Sequence, residues 1–190
     1  DGQVPTDNIS GLTTLTVKSE NVSDLTGIED FTSLTYLQCD DNQLTSLDVS
    51  NNTALITLRC YNNQLTSLDV SINTALTYLG CYENQLTSLD VSNNTALTNL
   101  GCFNNNLTSL DVRNGNNTNF TDFYPMGNPD LTCIFVDDAA YSTINWTSVD
   151  ANSTFVNNES ECSNLTTPTP TETVAPPSPT STPEPDPTPY

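Results

Sequence analysis

Cysteines and aspartates recur at a single interval in this chain. Cys39, Cys60, Cys81 and Cys102 stand 21 residues apart, and Asp48, Asp69, Asp90 and Asp111 keep the same step. A row of thiols invites metal chemistry, but a metal–thiolate centre needs several sulfurs converging on one point, which a linear ladder does not supply. Parallel side-chain vectors also disfavour disulfides within the row. The four cysteines therefore read as buried free thiols, small hydrophobes filling a narrow core. Carboxylates about 5 Å apart repel by roughly 0.8 kcal/mol even in bulk water. Either backbone N–H groups at each bend offset that repulsion or cations bridge the rungs. Aspartate is a habitual turn residue, which favours the backbone. Histidine is absent from the sequence, and with it the commonest general base and metal ligand. The sequence also holds no Gly-rich phosphate loop and no plausible nucleophile pair. These residues predict no catalytic site, no cofactor and no metal centre.

What positions the cysteines and aspartates is a repeating unit. Leu34, Leu55, Leu76 and Leu97 open four copies of 21 residues, from LTYLQCDDNQLTSLDVSNNTA to LTNLGCFNNNLTSLDVRNGNN. Self-similarity at this period predicts a solenoid, each turn stacked on its neighbours. Leu34, Leu37, Cys39, Leu44, Leu47 and Val49 form the inward set of the first copy. Apolar and polar residues alternate around Leu37 and Cys39, as in a short strand with one buried face. Stacked strands of this kind make a parallel sheet with a spacing of about 4.8 Å. Asn42, Asn63, Asn84 and Asn105 fall where the chain leaves the strand, and an amide there can bond donors and acceptors of adjacent turns.

Specificity in such an array falls to the positions that differ between turns. The strand residues facing away from the core are Tyr36, Gln38, Asp40 and Asp41, then Thr57, Arg59, Tyr61 and Asn62. Tyr78, Gly80, Tyr82 and Glu83 follow, then Asn99, Gly101, Phe103 and Asn104. Tyr61, Tyr82 and Phe103 share one position and predict an aromatic stripe, with Gly80 and Gly101 leaving a shallow floor beside it. The candidate ligand-binding residues are Tyr36, Gln38, Asp40, Arg59, Tyr61, Tyr78, Tyr82, Glu83 and Phe103, a platform for a peptide or a sugar. Rings that merely shield the sheet are the structural alternative. Thr45, Thr66, Thr87 and Thr108 form a further rank beside Ser46, Ser67, Ser88 and Ser109, a flat threonine array of the kind ice-binding solenoids carry.

Composition narrows the partners. Three cations (Lys18, Arg59 and Arg113) face 23 acidic residues, for a net charge of −20. Such a surface repels phosphates and anionic lipid, so nucleic acid is not an expected partner. No apolar run is long enough to span a bilayer, and no direct membrane insertion is expected. A start at Asp1 with no charged and apolar leader suggests a mature secreted protein or an excised fragment. Asn-x-Ser/Thr sequons begin at Asn8, Asn21, Asn51, Asn93, Asn106, Asn116, Asn119, Asn145, Asn152, Asn158 and Asn164, acceptors wherever the host has the machinery. From Thr166 the composition shifts to TTPTPTETVAPPSPTSTPEPDPTPY, with nine of the 12 prolines. That segment cannot form a core and reads as an extended polyproline stalk suited to O-glycosylation.

The unit LxxLxCxxNxLxxLDVSxxxx resembles the leucine-rich repeat, in the form with a cysteine ladder found in bacterial surface proteins related to the internalins. The segment LTTLTVKSENVSDLTGIEDFTS is similar to the 22-residue internalin repeat, with Glu20 where Asn is usual. After Val112 the register loosens. Phe120 and Phe123 begin a last irregular turn, Asn128 falls at the Asn position, and the stretch from Asn128 to Cys162 resembles a C-terminal cap. Cys133 and Cys162 lie outside the ladder, and a disulfide between them would staple that cap, consistent with an oxidising compartment. DGQVPTDN resembles the second half of a calcium-binding loop, but Asn8 stands where the bidentate Glu belongs, so it reads as a cap remnant without metal.

The resemblance implies a β-rich solenoid: a curved right-handed leucine-rich-repeat superhelix with its parallel sheet on the concave face, a disulfide-stapled cap and a Pro-rich tail. The expected segments are an N-terminal cap remnant (1–11), the repeats (12–119), the last irregular turn and cap (120–165), and the tail (166–190). The expected function is extracellular adhesion, recognition or surface assembly without catalysis, with a protein or glycan ligand. A second reading is a fibril subunit assembled head-to-tail with copies of itself, the Pro-rich tail docked on a neighbour.

Overall fold

The computed structural model describes residues 10–166. The Pro-rich tail, the DGQVPTDN segment and the Asn8 sequon lie outside the described residues, as does the tail docking on which the filament reading depends. Within them the chain winds through about seven turns of parallel-strand solenoid. Strands β1 (Thr14–Thr16), β2 (Tyr36–Gln38), β3 (Thr57–Arg59), β4 (Tyr78–Gly80), β6 (Asn99–Gly101) and β8 (Asp122–Tyr124) pair in that order into a six-stranded parallel sheet. The register is in step with the repeat: Leu15, Leu37, Leu58, Leu79, Leu100 and Phe123 lie one above another. The expected inward set holds on every regular turn, and Leu34, Leu37, Cys39, Leu44 and Val49 are all fully buried. Each turn contributes one layer to a single apolar spine, so its burial depends on the turns above and below.

Asparagine fastens the layers. The Asn63 amide donates to the carbonyls of Cys39 and Cys60 and accepts the Leu44 N–H at 2.9 Å. Asn84 and Asn105 repeat the pattern one turn on, and Asn128 receives the Leu107 N–H at 3.0 Å despite the looser register. A second asparagine column is equally buried. Asn52, Asn73 and Asn94 donate across to carbonyls of the preceding turn, Asn73 to Val49 and Asn52 at 3.0 and 2.9 Å.

The LTSLDV segment is more than a spine. Its residues form strands β5 (Ser88–Asp90) and β7 (Ser109–Asp111), which continue into β9 (Cys133–Phe135) and β10 (Thr154–Val156) as a second, four-stranded parallel sheet. The aspartate ladder is answered by the backbone. Asp48, Asp69, Asp90 and Asp111 each accept the N–H two residues on, at 2.8–3.0 Å. The Ser50 and Ser71 hydroxyls, together with that backbone bond, hold the Asp48 and Asp69 carboxyls below the usual aspartate range.

Each of the four regular turns leaves the six-stranded sheet through one residue at positive φ: Asp41 (57°), Asn62 (51°), Glu83 (53°) and Asn104 (53°). Asparagine and aspartate tolerate this region through local hydrogen bonds, whereas glutamate does not. Glu83→Asn is therefore expected to raise the urea midpoint by the equivalent of about 0.5–1 kcal/mol. An unchanged or lower midpoint would contradict the strain.

The last turn closes on aromatic packing. Phe123 lies 4.4 Å from Trp146, and Trp146 lies 5.7 Å from Phe155, between ring centroids. Helix α1 (Ala139–Asn145) starts at Asp138, whose carboxylate accepts the N–H groups of Ala140 and Tyr141. Helix α2 (Glu159–Thr166) is joined to β9 by the Cys133–Cys162 disulfide and to β7 by Arg113, which pairs with Asp111 and with Glu159 at 2.9 Å. No helix among the described residues is long and apolar enough to cross a membrane.

Candidate functional site

Four columns rise from the solenoid: one inside it and three on the open face of the six-stranded sheet. The inner column is Cys39, Cys60, Cys81 and Cys102, all buried and unpaired. Burial pushes the Cys39 and Cys81 thiols up to about 12 and raises Cys60 and Cys102 as well, with the Asp40 charge adding at Cys39. These sulfurs stay protonated at neutral pH and act as packing groups.

The first outer column is Tyr36, Thr57, Tyr78, Asn99 and Asp122; the second is Gln38, Arg59, Gly80, Gly101 and Tyr124. The third is Asp40, Tyr61, Tyr82 and Phe103. Its rings stack as the spacing predicts: Tyr61 and Tyr82 are 4.3 Å apart at 9°, and Tyr82 and Phe103 are 4.2 Å apart at 10°. Burial within the stack raises the hydroxyls of both tyrosines above their ordinary range.

Two expectations need correction. Asp40 does not face a ligand; it is fully buried at the end of the ring stack, with Lys18 from the preceding turn laid over it at 3.0 Å. The glycines do not leave one continuous floor either. A Cβ on Gly80 would sit 3.2 Å from the Tyr78 ring and 3.6 Å from the Tyr61 ring, so those rings already occupy that space. Glu83 lies at the exposed positive-φ bend. Tyr36 donates its hydroxyl to Gln38 at 3.1 Å, and the Arg59 guanidinium lies between Tyr36 (5.9 Å) and Tyr78 (5.0 Å).

Over Gly101 there is a groove of about 280 Å³ walled by Tyr78, Tyr82, Phe103 and Tyr124, with Asn99 and Asp122 at one end. Asp122 is held in position: the Tyr124 hydroxyl donates to one oxygen at 3.1 Å and the Asn99 amide to the other. The same bond raises the Tyr124 hydroxyl pKa. Tyr78, Tyr82 and Phe103 were legible as candidates in the sequence; Asp122 and Tyr124 were not, because 23 rather than 21 residues separate them from Asn99 and Gly101. The phrase TDFY, with its alternation around buried Phe123, was the available signal.

The exposed faces of the sequons differ. Asn21, Asn51, Asn93 and Asn106 are exposed, and their side-chain amides make no hydrogen bond among the described residues. Asn119, Asn145 and Asn152 are also exposed, but their side-chain amides, like those of Asn116 and Asn158, donate hydrogen bonds within the protein. Asn164 is exposed near the end of α2. Thr45, Thr66, Thr87 and Thr108 are exposed along the solenoid, as their rank implies. No group of three or more His, Cys, Asp or Glu side chains gathers for a metal among the described residues.

A 21-residue leucine spine, a parallel sheet with one layer per turn and an inner cysteine column together define a leucine-rich-repeat protein with a cysteine ladder. The chain is similar to the functional domain of InlJ from Listeria monocytogenes, which also includes a cysteine ladder: identity is 40% and the TM-score 0.61, over 69% of this chain and 31% of that one. It is likewise similar to the internalin InlF of Listeria monocytogenes, with 25% identity and a TM-score of 0.56 over 77% and 48% of the two chains. The leucine-rich-repeat ectodomain of the receptor kinase SOBIR1 from Arabidopsis thaliana shares the fold, at 23% identity and a TM-score of 0.55 over 62% and 71%. The chain thus spans about a third of the InlJ domain and half of InlF. No protein-family model matches it, and no curated protein sequence does.

Proposed function

We propose that this chain is a non-catalytic extracellular recognition module that binds a peptide or glycan on the face of its six-stranded sheet. The groove over Gly101 carries the reading. It offers four aromatic walls beside a fixed carboxylate, on the part of the repeat where residues differ from turn to turn. Flat rings with polar groups at their edges provide large contact area at low entropy cost. The likeness to internalins supports recognition as the class of activity. The Cys133–Cys162 disulfide supports an oxidising, extracellular setting. The lack of histidine and the protonated ladder thiols support a role without catalysis. Segments 12–119 and 120–165 then serve as repeat scaffold and as last turn with cap, and exposed Asn21, Asn51, Asn93 and Asn106 are the first candidates for glycans.

Peptide and glycan arrays probed with the full chain test the proposal. The double variant Tyr82→Ala, Tyr124→Ala is expected to lower the signal of every retained ligand at least tenfold while the thermal midpoint moves by only a few degrees. Undiminished binding in that variant would place recognition elsewhere.

A further inference from the structure

The sheet face seats cations on its rings, and the chain fills two of those seats itself. Lys18 Nζ lies 5.8 Å from the Tyr61 centroid while pairing with Asp40 at 3.0 Å. The Arg59 guanidinium lies 5.0 Å from Tyr78 and 5.9 Å from Tyr36. Aromatic faces attract cations through their quadrupole, more strongly where water is partly excluded. The Lys18 seat adds a carboxylate to its ring.

The groove over Gly101 has the same components. In the column of Arg59 the next two residues are Gly80 and Gly101. At Gly80 the Tyr78 and Tyr61 rings close the space, but at Gly101 only Tyr82 comes near, 3.3 Å from where a Cβ would stand. The remaining space is bounded by Tyr78, Tyr82, Phe103 and Tyr124, with the Asp122 carboxylate at its end. No charged side chain of opposite sign pairs with Asp122 among the described residues. Asp122 is oriented in advance by Tyr124 and Asn99, so little ordering is needed when a ligand arrives.

We propose that this groove is a third cation seat and takes an arginine side chain from a basic segment of a partner protein. The inference rests on the recognition-face reading above and names the chemistry of its ligand. Three observations converge on it. A guanidinium between tyrosine rings is already built into the face at Arg59. The groove places a carboxylate beside its rings, and a guanidinium matches both because it is planar and forks to two oxygens. The chain carries a net charge of −20, which draws a basic partner and repels an acidic one. A neutral sugar could use the rings but would gain nothing from the charge.

The test uses the full chain labelled with ¹⁵N and two probes, the peptide Gly-Gly-Arg-Gly-Gly and its citrulline counterpart. Citrulline keeps the shape and loses the charge. The arginine peptide is expected to shift the Gly101 and Tyr124 amide resonances and to bind at least fivefold more tightly than the citrulline peptide. Asp122→Asn, which retains a hydrogen-bond acceptor, should abolish that preference, and raising the salt from 50 to 500 mM should weaken it severalfold. Equal binding of both peptides, or no shift from either, overturns the cation seat. Shifts of the same amides by methyl glucoside without any response to arginine would also overturn it, while leaving the recognition face standing. Loss of the recognition face itself would be read from the array experiment with Tyr82→Ala, Tyr124→Ala, so the two failures are distinguishable.

Discussion

Asn84→Ala is expected to lower stability by about 3–5 kcal/mol, measured as a fall in the urea midpoint. The Asn84 oxygen accepts the Leu65 N–H at 2.9 Å, and its amide donates to the carbonyls of Cys60 and Cys81 at 3.0 and 3.1 Å. Alanine leaves the buried Leu65 N–H without a partner, at about 1–3 kcal/mol, and takes one of two donors from each of the Cys60 and Cys81 carbonyls, which keep Asn63 and Asn105, at roughly 0.5–1.5 kcal/mol each. A small domain has only about 5–15 kcal/mol in total, so a central turn lost in this way threatens the whole array. Asn42→Ala provides the contrast. Its partners Glu20, Val22 and Val17 belong to a partly exposed first turn where water can substitute, and the Cys39 and Asp40 carbonyls it also reaches keep Asn63 and Ser19 as donors, so the expected loss is about 1–2 kcal/mol. Equal losses at the two positions would refute the idea that Asn84 matters because its partners are sealed from water.

The second large effect concerns sulfur. Cys162→Ala removes the bridge to Cys133, 29 residues away, and is expected to cost about 3 kcal/mol. The cap should loosen first, reported by Trp146, the single tryptophan, which packs on Phe123 and Phe155. Its emission should shift to the red at a lower urea concentration than the loss of the sheet signal by circular dichroism. Thiol counting completes the test on the unsubstituted chain. The native unreduced protein should show no reactive thiol, the unfolded protein four, and the unfolded and reduced protein six. Six before reduction would exclude the bridge. The ladder thiols also set an alkaline limit. Their folded pKa values lie above those of free thiols, so stability is undiminished below about pH 8.5. It should fall as the pH climbs from there towards 12, because the unfolded chain releases protons that the fold retains.

The spine was legible because its signal repeats. Leu37, Leu58, Leu79 and Leu100 could be aligned from spacing alone, and stacking followed from the impossibility of burying one turn by itself. Asn42 and its successors could be read for the same reason. The Asn52 column was equally regular but escaped notice, since NNTA has the composition of an exposed turn. The available cue was that Asn52, Asn73 and Asn94 stay asparagine while the residue before them changes to Ile72. The second sheet was hidden likewise, because Ser and Asp are common in turns and the strands span three residues. Asp40 was misplaced for a different reason. Its cover is Lys18, 22 residues earlier in an irregular copy, and repeat logic says nothing about one side chain reaching across a turn. The groove required the structure because its far wall, Tyr124, belongs to the turn where the period breaks.

That groove is assembled wholly from the turns that open at Leu76 and Leu97 and the irregular turn that follows them. The turns before it contribute length and little else to its walls. A gene encoding near-identical 21-residue units is prone to gaining or losing one by unequal recombination, and here such an event in the early units would alter reach while sparing the groove. The architecture therefore separates two quantities that evolution usually has to adjust together: how far the solenoid projects, and the shape of its aromatic groove.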